Sequence, residues 1–371
     1  MLSSLLTTVL VATATIASPL QIQKREDPNT GLTWIYKDPS LPKDLQYRRW
    51  DHPVRLQQRP LGQHQLRRRP WRSDAGNAYR HPGPAANADS DRFLNISMDT
   101  HKRMCTPHSD IVGAVMIHGT NTLAETAFGV DLTLNCSKPF VATGSMRPNS
   151  ALSPDGPFNF YDAVRAAIHP ESRDRGAMIA FNDHLVSAFY GTKTNGNTVS
   201  TFLATDQGYI GQFIASQPYY FYGPSLPKAR HHFNPFKLKY PLPQVVVLYG
   251  HQGFKASLLY AAAADGAKGI VIMGVGPGGL STTARAAAED LFTQGVVTVA
   301  SLRPSFGAVV PGPAVSNITS SGFLHGEQSR IQLQLALASG YDVAGIRKLF
   351  EGDIRKAVYN RATAFYHATT L

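Results

Sequence analysis

The chain has 371 residues, 43% of them hydrophobic, with a formal net charge of +11 and two cysteines. That length can bury one or two substantial cores, and no apolar run reaches the roughly 18 residues of a helical membrane span, which argues against a membrane protein. The charge argues less for a polyanionic partner than its size suggests, because nine arginines and two aspartates between Tyr47 and Pro82 supply +7 of it and leave about +4 for the rest.

The first element, MLSSLLTTVLVATATIASPL, is apolar and closes on the small residues Ala17 and Ser18 ahead of Lys24-Arg25. It reads as a secretory signal peptide over 1–18, with a dibasic processing step after it. Three Asn-x-Ser/Thr sequons, at Asn95, Asn135 and Asn317, agree with export and glycosylation. The segment 19–92 contains RRWDHPVRLQQRPLGQHQLRRRP, Arg48 to Pro70, with seven arginines, four glutamines and three prolines. It lacks the composition to pack, and 19–92 is expected to be largely disordered. A basic arm for nucleic acid or heparin would need interleaved aromatics, and only Trp50 and Trp71 offer them, so no nucleic-acid partner is expected.

From Ser109 onward apolar runs and helical periods alternate. IVGAVMI (111–117), PFVATGS (139–145) and AMIAF (177–181) read as strands, and FNFYDAVRAAI (158–168) reads as a helix. A connection rich in proline, histidine and aromatics, 219–243, separates a second series. There VVVLY (245–249), KGIVIMG (268–274) and VVTVAS (296–301) read as strands, 256–264 and 282–292 as helices, and the stretch from Gln328 as helical. Such alternation predicts an α/β protein of two domains, 93–218 and 244–371, each a parallel sheet flanked by helices.

Two turns stand where chemistry could sit. HGTNTLAETAF, His118 to Phe128, follows a strand, at the sheet edge where α/β proteins place their sites. There Thr120 presents a hydroxyl to a ligand, or Thr120 or Thr122 serves as the N-cap of the following helix. GVGPGGL, Gly274 to Leu280, satisfies GxGxxG. With Pro277 inside the turn and no acidic residue near the end of the next strand, it reads as a tight βα turn rather than a dinucleotide site, and no cofactor is expected.

AVMIHGTNTLAETAFGVDLTLNCSKPFVATGSMRP (114–148) resembles the second signature of the L-asparaginase family. DGPFNFYDAVRAA, LYGHQGF, KGIVIMGVGPGGLST and SGFLHGEQSRIQLQLAL resemble its later blocks in order. The resemblance implies a two-domain α/β amidohydrolase converting asparagine, and in some cases glutamine, to the acid and ammonia, without cofactor or metal. It implies a homotetramer with sites between adjacent subunits. Cys105 and Cys136 stand at positions similar to the disulfide of secreted (type II) members, and one bridge suits an exported chain; the expected location is extracellular or cell wall. Thr120 matches the family's second catalytic threonine, with Gly119 beside it and Asn121 where the family has aspartate. Ser90 and Asp91, in ADSDRF, resemble the substrate-binding serine before a helix. The family's lysine is expected near His169-Pro170, where this chain has none.

The family's first signature, Gly-Gly-Thr-Ile with a downstream tyrosine loop, is missing, and the arginine-rich stretch occupies its place. Read one base later, the codons of Arg49 to His52 permit Gly-Gly-Thr-Ile, and those of Gln63 to Arg69 permit Ser-Thr-Asn-Tyr-Ala-Ala-Gly. We read the stretch as a shifted frame, entered after about Pro42 and left before about Ser90. Two readings of function follow: an asparaginase impaired by that loss, or an exported protein that binds an amino acid without turning it over. Sequencing the transcript across this region should show the two signatures in the other frame; codons at Asp51 and His52 that cannot give Thr-Ile in that frame would sink the idea.

Overall fold

The computed structural model describes residues 22–27, 32–37 and 91–368, with side chains for 91–359. The expected signal peptide, the stretch 48–70 and Ser90 lie outside the described residues.

The first sheet holds β1 (Ile22–Asp27), β2 (Leu32–Lys37), β3 (Ile111–Ile117), β4 (Phe140–Thr143), β5 (Ala177–Phe181), β6 (His184–Ser187), β9 (Gly211–Ile214) and β10 (Gln217–Tyr220), adjacent in that order. A ribbon of β7 (Thr192–Lys193) and β8 (Phe202–Leu203) stands apart. Strands β3, β4 and β5 are parallel, and their alternation is apolar on both faces. Ala114, Met116, Phe140, Ala142 and Ile179 join a core that includes α1 (Arg92–Met104) and α2 (Leu123–Thr133). Val115, Val141, Met178 and Ala180 meet Ala163 and Ala167 of α3 (Gly156–Ile168) on the other side. Two covered faces are why these strands read as continuous hydrophobic runs. Helix α3 lies so close that a Cβ at Gly113 would stand 2.1 Å from the Ala167 carbonyl oxygen, which only glycine accommodates.

Two features add to the expected fold. The parallel strands of the first sheet are continued by antiparallel ones, because β5 turns back into β6 through Asn182-Asp183, both at positive φ. Such residues make the two-residue turn whose twist suits a hairpin. A second hairpin, β9–β10, turns at Ala215-Ser216, again at positive φ. Within 19–92, expected to be largely without structure, residues 22–27 and 32–37 form an antiparallel pair, and β2 runs antiparallel beside β3.

The second sheet is parallel throughout: β11 (Val245–Tyr249), β12 (Gly269–Gly274), β13 (Val297–Leu302) and β14 (Ile318–His325). Between them run α4 (Ser257–Ala264), a single turn α5 (Val275–Gly278) and α6 (Thr282–Thr293), followed by α7 (Gly326–Ala338) and α8 (Val343–Ala368). Leu259, Ala287, Ala288 and Leu291 cover one face of this sheet. On the other face Ile331, Leu333 and Leu335 of α7 share a core with α1 and α2, so α7 is packed between the domains. The GxGxxG turn closes on itself: Val275 N–H donates to the Gly279 carbonyl at 2.9 Å and Gly279 N–H to the Val275 carbonyl at 2.8 Å. Donors spent this way are not aimed at a phosphate.

The connection between the domains is pinned to α2 by one ion pair. Asp131 accepts from Arg230 Nε at 2.9 Å and from the Ala177 N–H at 2.7 Å, while Arg230 also donates to the Leu134 carbonyl at 3.0 Å. Breaking a buried pair by removing one partner commonly costs 3–5 kcal/mol.

Asp162 of α3 is the opposite case. It is 1% exposed, neither carboxylate oxygen has a partner, and burial, reinforced by Asp183, pushes its pKa up to about 7. Its charge therefore costs nothing near pH 4, costs progressively more as pH rises toward 7, and its effect is constant above that. Asp162→Asn removes the charge. Its stability relative to the parent should improve between pH 5 and pH 8 at up to about 1.4 kcal/mol per pH unit, levelling off above 7. Thermal unfolding at both pH values reads this, and an unchanged difference would contradict it.

Candidate active site

The parallel strands of the first sheet end together, and the turn after β3 starts from their C-terminal edge. His118 holds this turn in place. Its N–H donates to the Thr143 carbonyl of β4 at 2.9 Å. Its ring Nδ1 lies 2.8 Å from the Gly119 carbonyl oxygen, which can only accept, so Nδ1 carries the hydrogen. Nε2 then accepts from the Thr126 hydroxyl of α2 at 3.0 Å. Burial holds the imidazole's pKa below its ordinary value, with the Arg92 charge acting in the same direction against the Gly119 bond, so the ring is neutral, as these bonds require. Gly144 completes the support, since a Cβ there would meet the His118 carbonyl oxygen at 2.4 Å.

The anchored turn leaves Gly119 and Asn121 exposed and Thr120 half-buried. Neither threonine acts as a side-chain cap: Thr122 occupies the N-cap position of α2 without a side-chain cap bond. Instead, the Thr120 hydroxyl accepts from Lys193 Nζ at 2.9 Å, and Asn121 Oδ1 accepts from the same ammonium at 3.4 Å. This lysine corrects the expectation of none at His169-Pro170. Helix α3 runs back along the sheet after β4, so His169 at its C-terminus lies at the edge where β5 begins, away from Thr120. Lys193 comes from β7, and the other domain holds that ribbon. Thr192 donates to Glu327 Oε1 at 2.9 Å, and Gln328 Nε2 donates to the Phe189 carbonyl at 3.0 Å. One sequence signal pointed to it: Lys193 is the only lysine between Lys138 and Lys228.

The loop after β4 is ordered around one carboxylate. Asp155 accepts from the N–H groups of Met146 and Arg147 at 3.0 and 2.8 Å and from the Ser145 hydroxyl at 2.9 Å. Burial alone would raise its pKa; these donors outweigh it and hold the carboxyl below its usual range. Asp91 is buried at the start of α1, where it accepts from the Tyr240 hydroxyl. Among the described residues no further hydroxyl hydrogen-bonds to the Thr120–Lys193 pair, and no group of three or more His, Cys, Asp or Glu could hold a metal.

Cys105, at the end of α1, is bonded to Cys136, just after α2, with Cα atoms 5.5 Å apart and a sequence separation of 31. In the chain-entropy account a loop of that length contributes about 3–4 kcal/mol. Unreduced protein should give no alkylatable thiol, and reduction should lower its unfolding temperature; two reactive thiols without reduction would contradict the bond.

The comparisons with known proteins fit this arrangement. Residues 81–226 match the family model of the asparaginase N-terminal domain, and 244–350 match that of the glutaminase/asparaginase C-terminal domain. The chain is 42% identical to L-asparaginase 2-3 of Saccharomyces cerevisiae over 247 residues, 66% of this chain and 68% of that protein. It is 38% identical to L-asparaginase 2 of Bacillus subtilis over 270 residues, 72% and 71% of the two. A crystal structure of a probable cytoplasmic L-asparaginase from Campylobacter jejuni superposes with a TM-score of 0.64 at 31% identity, covering 70% of this chain and 83% of that one. Two matched domains that together cover most of the chain, and relatives of this identity, show that the chain belongs to the L-asparaginase family.

Proposed function

We propose that the protein hydrolyses the side-chain amide of L-asparagine to aspartate and ammonia, and that it does so slowly. The hydrogen bond between Lys193 Nζ and Thr120 Oγ1 carries the reading. A threonine hydroxyl is a weak nucleophile until a neighbour takes its proton. Lys193 Nζ, 2.9 Å from Oγ1, is the group placed to receive it in the reaction. Oγ1 then attacks the amide carbon, ammonia leaves with the proton, and water cleaves the resulting ester. Slowness follows from two absences in the sequence. No Gly-Gly-Thr-Ile signature supplies a first threonine, and Asn121 offers Lys193 a neutral oxygen where a carboxylate would stabilise the ammonium formed during attack.

The competing reading, a pocket that binds an amino acid without turnover, rests on the same neutral Asn121. Ammonia release separates the two. Asparagine turnover should be near background in the parent and fall to background in Thr120→Val and Lys193→Met. Asn121→Asp should raise it at least about ten-fold, a modest share of what a positioned acid–base group contributes. No gain in Asn121→Asp would remove the role given to that position, and robust turnover by the parent would overturn the proposal of slowness.

We further infer that the protein is exported, glycosylated and a homotetramer. The Cys105–Cys136 bond suits an oxidising compartment, and Asn95 and Asn135 are exposed. Asn317 is less open and donates to Glu289 at 2.6 Å. Helix α4 buries Leu259 alone and leaves Leu258 and Tyr260 exposed, as is Tyr249 at the end of β11, and apolar side chains left open in this way favour self-association.

A further inference from the structure

The chain contains a single Asn-Gly pair, Asn195-Gly196, and it follows Lys193 closely in the loop that joins β7 to β8. Both residues are exposed. An asparagine amide is open to attack by the backbone nitrogen of the next residue, and glycine there offers no side chain to hinder the approach. The local hydrogen bonds favour that attack. Asn195 Oδ1 accepts from the N–H of Asn197 at 2.8 Å and from that of Thr198 at 3.1 Å. The side chain is thereby folded forward across the Gly196 peptide, and its carbonyl oxygen already meets two donors able to hold the negative charge that attack would place on it. Neither the attacking Gly196 nitrogen nor the departing Asn195 Nδ2 hydrogen-bonds to a described residue.

We propose that Asn195 is a site of self-modification through a succinimide. Gly196 N bonds to Asn195 Cγ, the Cγ–Nδ2 bond breaks, and ammonia leaves with the proton of the Gly196 N–H. Water then opens the ring. Opening at Cγ leaves an ordinary aspartate. Opening at the main-chain carbonyl leaves isoaspartate, with one more methylene in the backbone and the former carbonyl turned into a free carboxylate. That carbonyl accepts from the Thr201 hydroxyl in the parent, and the ribbon it helps close is held by only two residue pairs, Thr192 with Leu203 and Lys193 with Phe202. Isoaspartate therefore loosens the strand that carries Lys193.

Incubation of the full chain at mildly alkaline pH, followed by peptide mapping, tests this. The peptide holding Asn195 should gain the mass of an NH2 exchanged for OH, and an isoaspartyl methyltransferase should label part of it. Conversion should outpace that at Asn149, exposed and followed by serine, by about ten-fold or more, which a barrier difference of about 1.4 kcal/mol gives. Gly196→Ala should slow conversion, since a Cβ there meets nothing within 4 Å and changes only the approach to Cγ. Asn195→Gln should block it, and serves as the comparison should Gly196→Ala fail to fold. Hydrogen exchange across 192–203 should rise in the aged parent and stay level in aged Asn195→Gln. Conversion at Asn195 no faster than at Asn149, or undiminished in Gly196→Ala, would overturn the modification. Unchanged exchange in chains that carry isoaspartate at 195 would overturn the loosening. Both readouts are independent of asparagine turnover, so they test this site apart from the amide hydrolysis proposed above.

Discussion

Gln328 is the residue on which the assembly of the site depends. It sits in the first turn of α7, 1% exposed, and its amide is used at both ends. Nε2 reaches across to the Phe189 and Gly191 carbonyls of the first domain, and Oε1 accepts from the His325 N–H to close the helix's own N-terminus. A buried amide satisfied in this way ties two domains at one point, since breaking either hydrogen bond leaves a polar group unpaired in the core. Around it, Glu327 holds Thr192 and Arg330 reaches Glu125 of α2 at 3.1 Å. The lysine that meets Thr120 is thus delivered by one domain and held in place by the other.

Much of the scaffold was legible in the sequence because burial on both faces leaves a plain signature. AMIAF and VVVLY are strands over the same residues in the structure, and FNFYDAVRAAI lies within α3. The hairpins were not legible. LVSAFYGTKTN and TDQGYIGQFIASQPYY mix polar, aromatic and glycine residues in strands of two to four, and their order comes from pairing with neighbours rather than from their own pattern. β14 escaped for a related reason, because ITSSGFLH interrupts its apolar residues with serines and a glycine.

The site divides along the same line. The turn with Gly119, Thr120 and Asn121 follows a strong strand signal and was found. Lys193 stands in a two-residue strand within TKTNGNT, which reads as loop, and position along the chain says little about which edge of a sheet a residue reaches. The Thr120 side of the pair is fixed by a neutral histidine with both ring nitrogens engaged, whereas Asn121 is exposed. A rigid threonine beside an open, uncharged neighbour is a site whose geometry is kept better than its electrostatics.

The Cys105–Cys136 bond closes a covalent ring, and the ring contains β3, the His118–Thr122 turn and α2. The exposed positions of that turn, Gly119 and Asn121, are the kind of backbone a protease reaches. A single cut there leaves both fragments tethered through the two helix ends, with the strand on one side and the helix on the other still held in the core. Such a nicked molecule runs as one species until it is reduced.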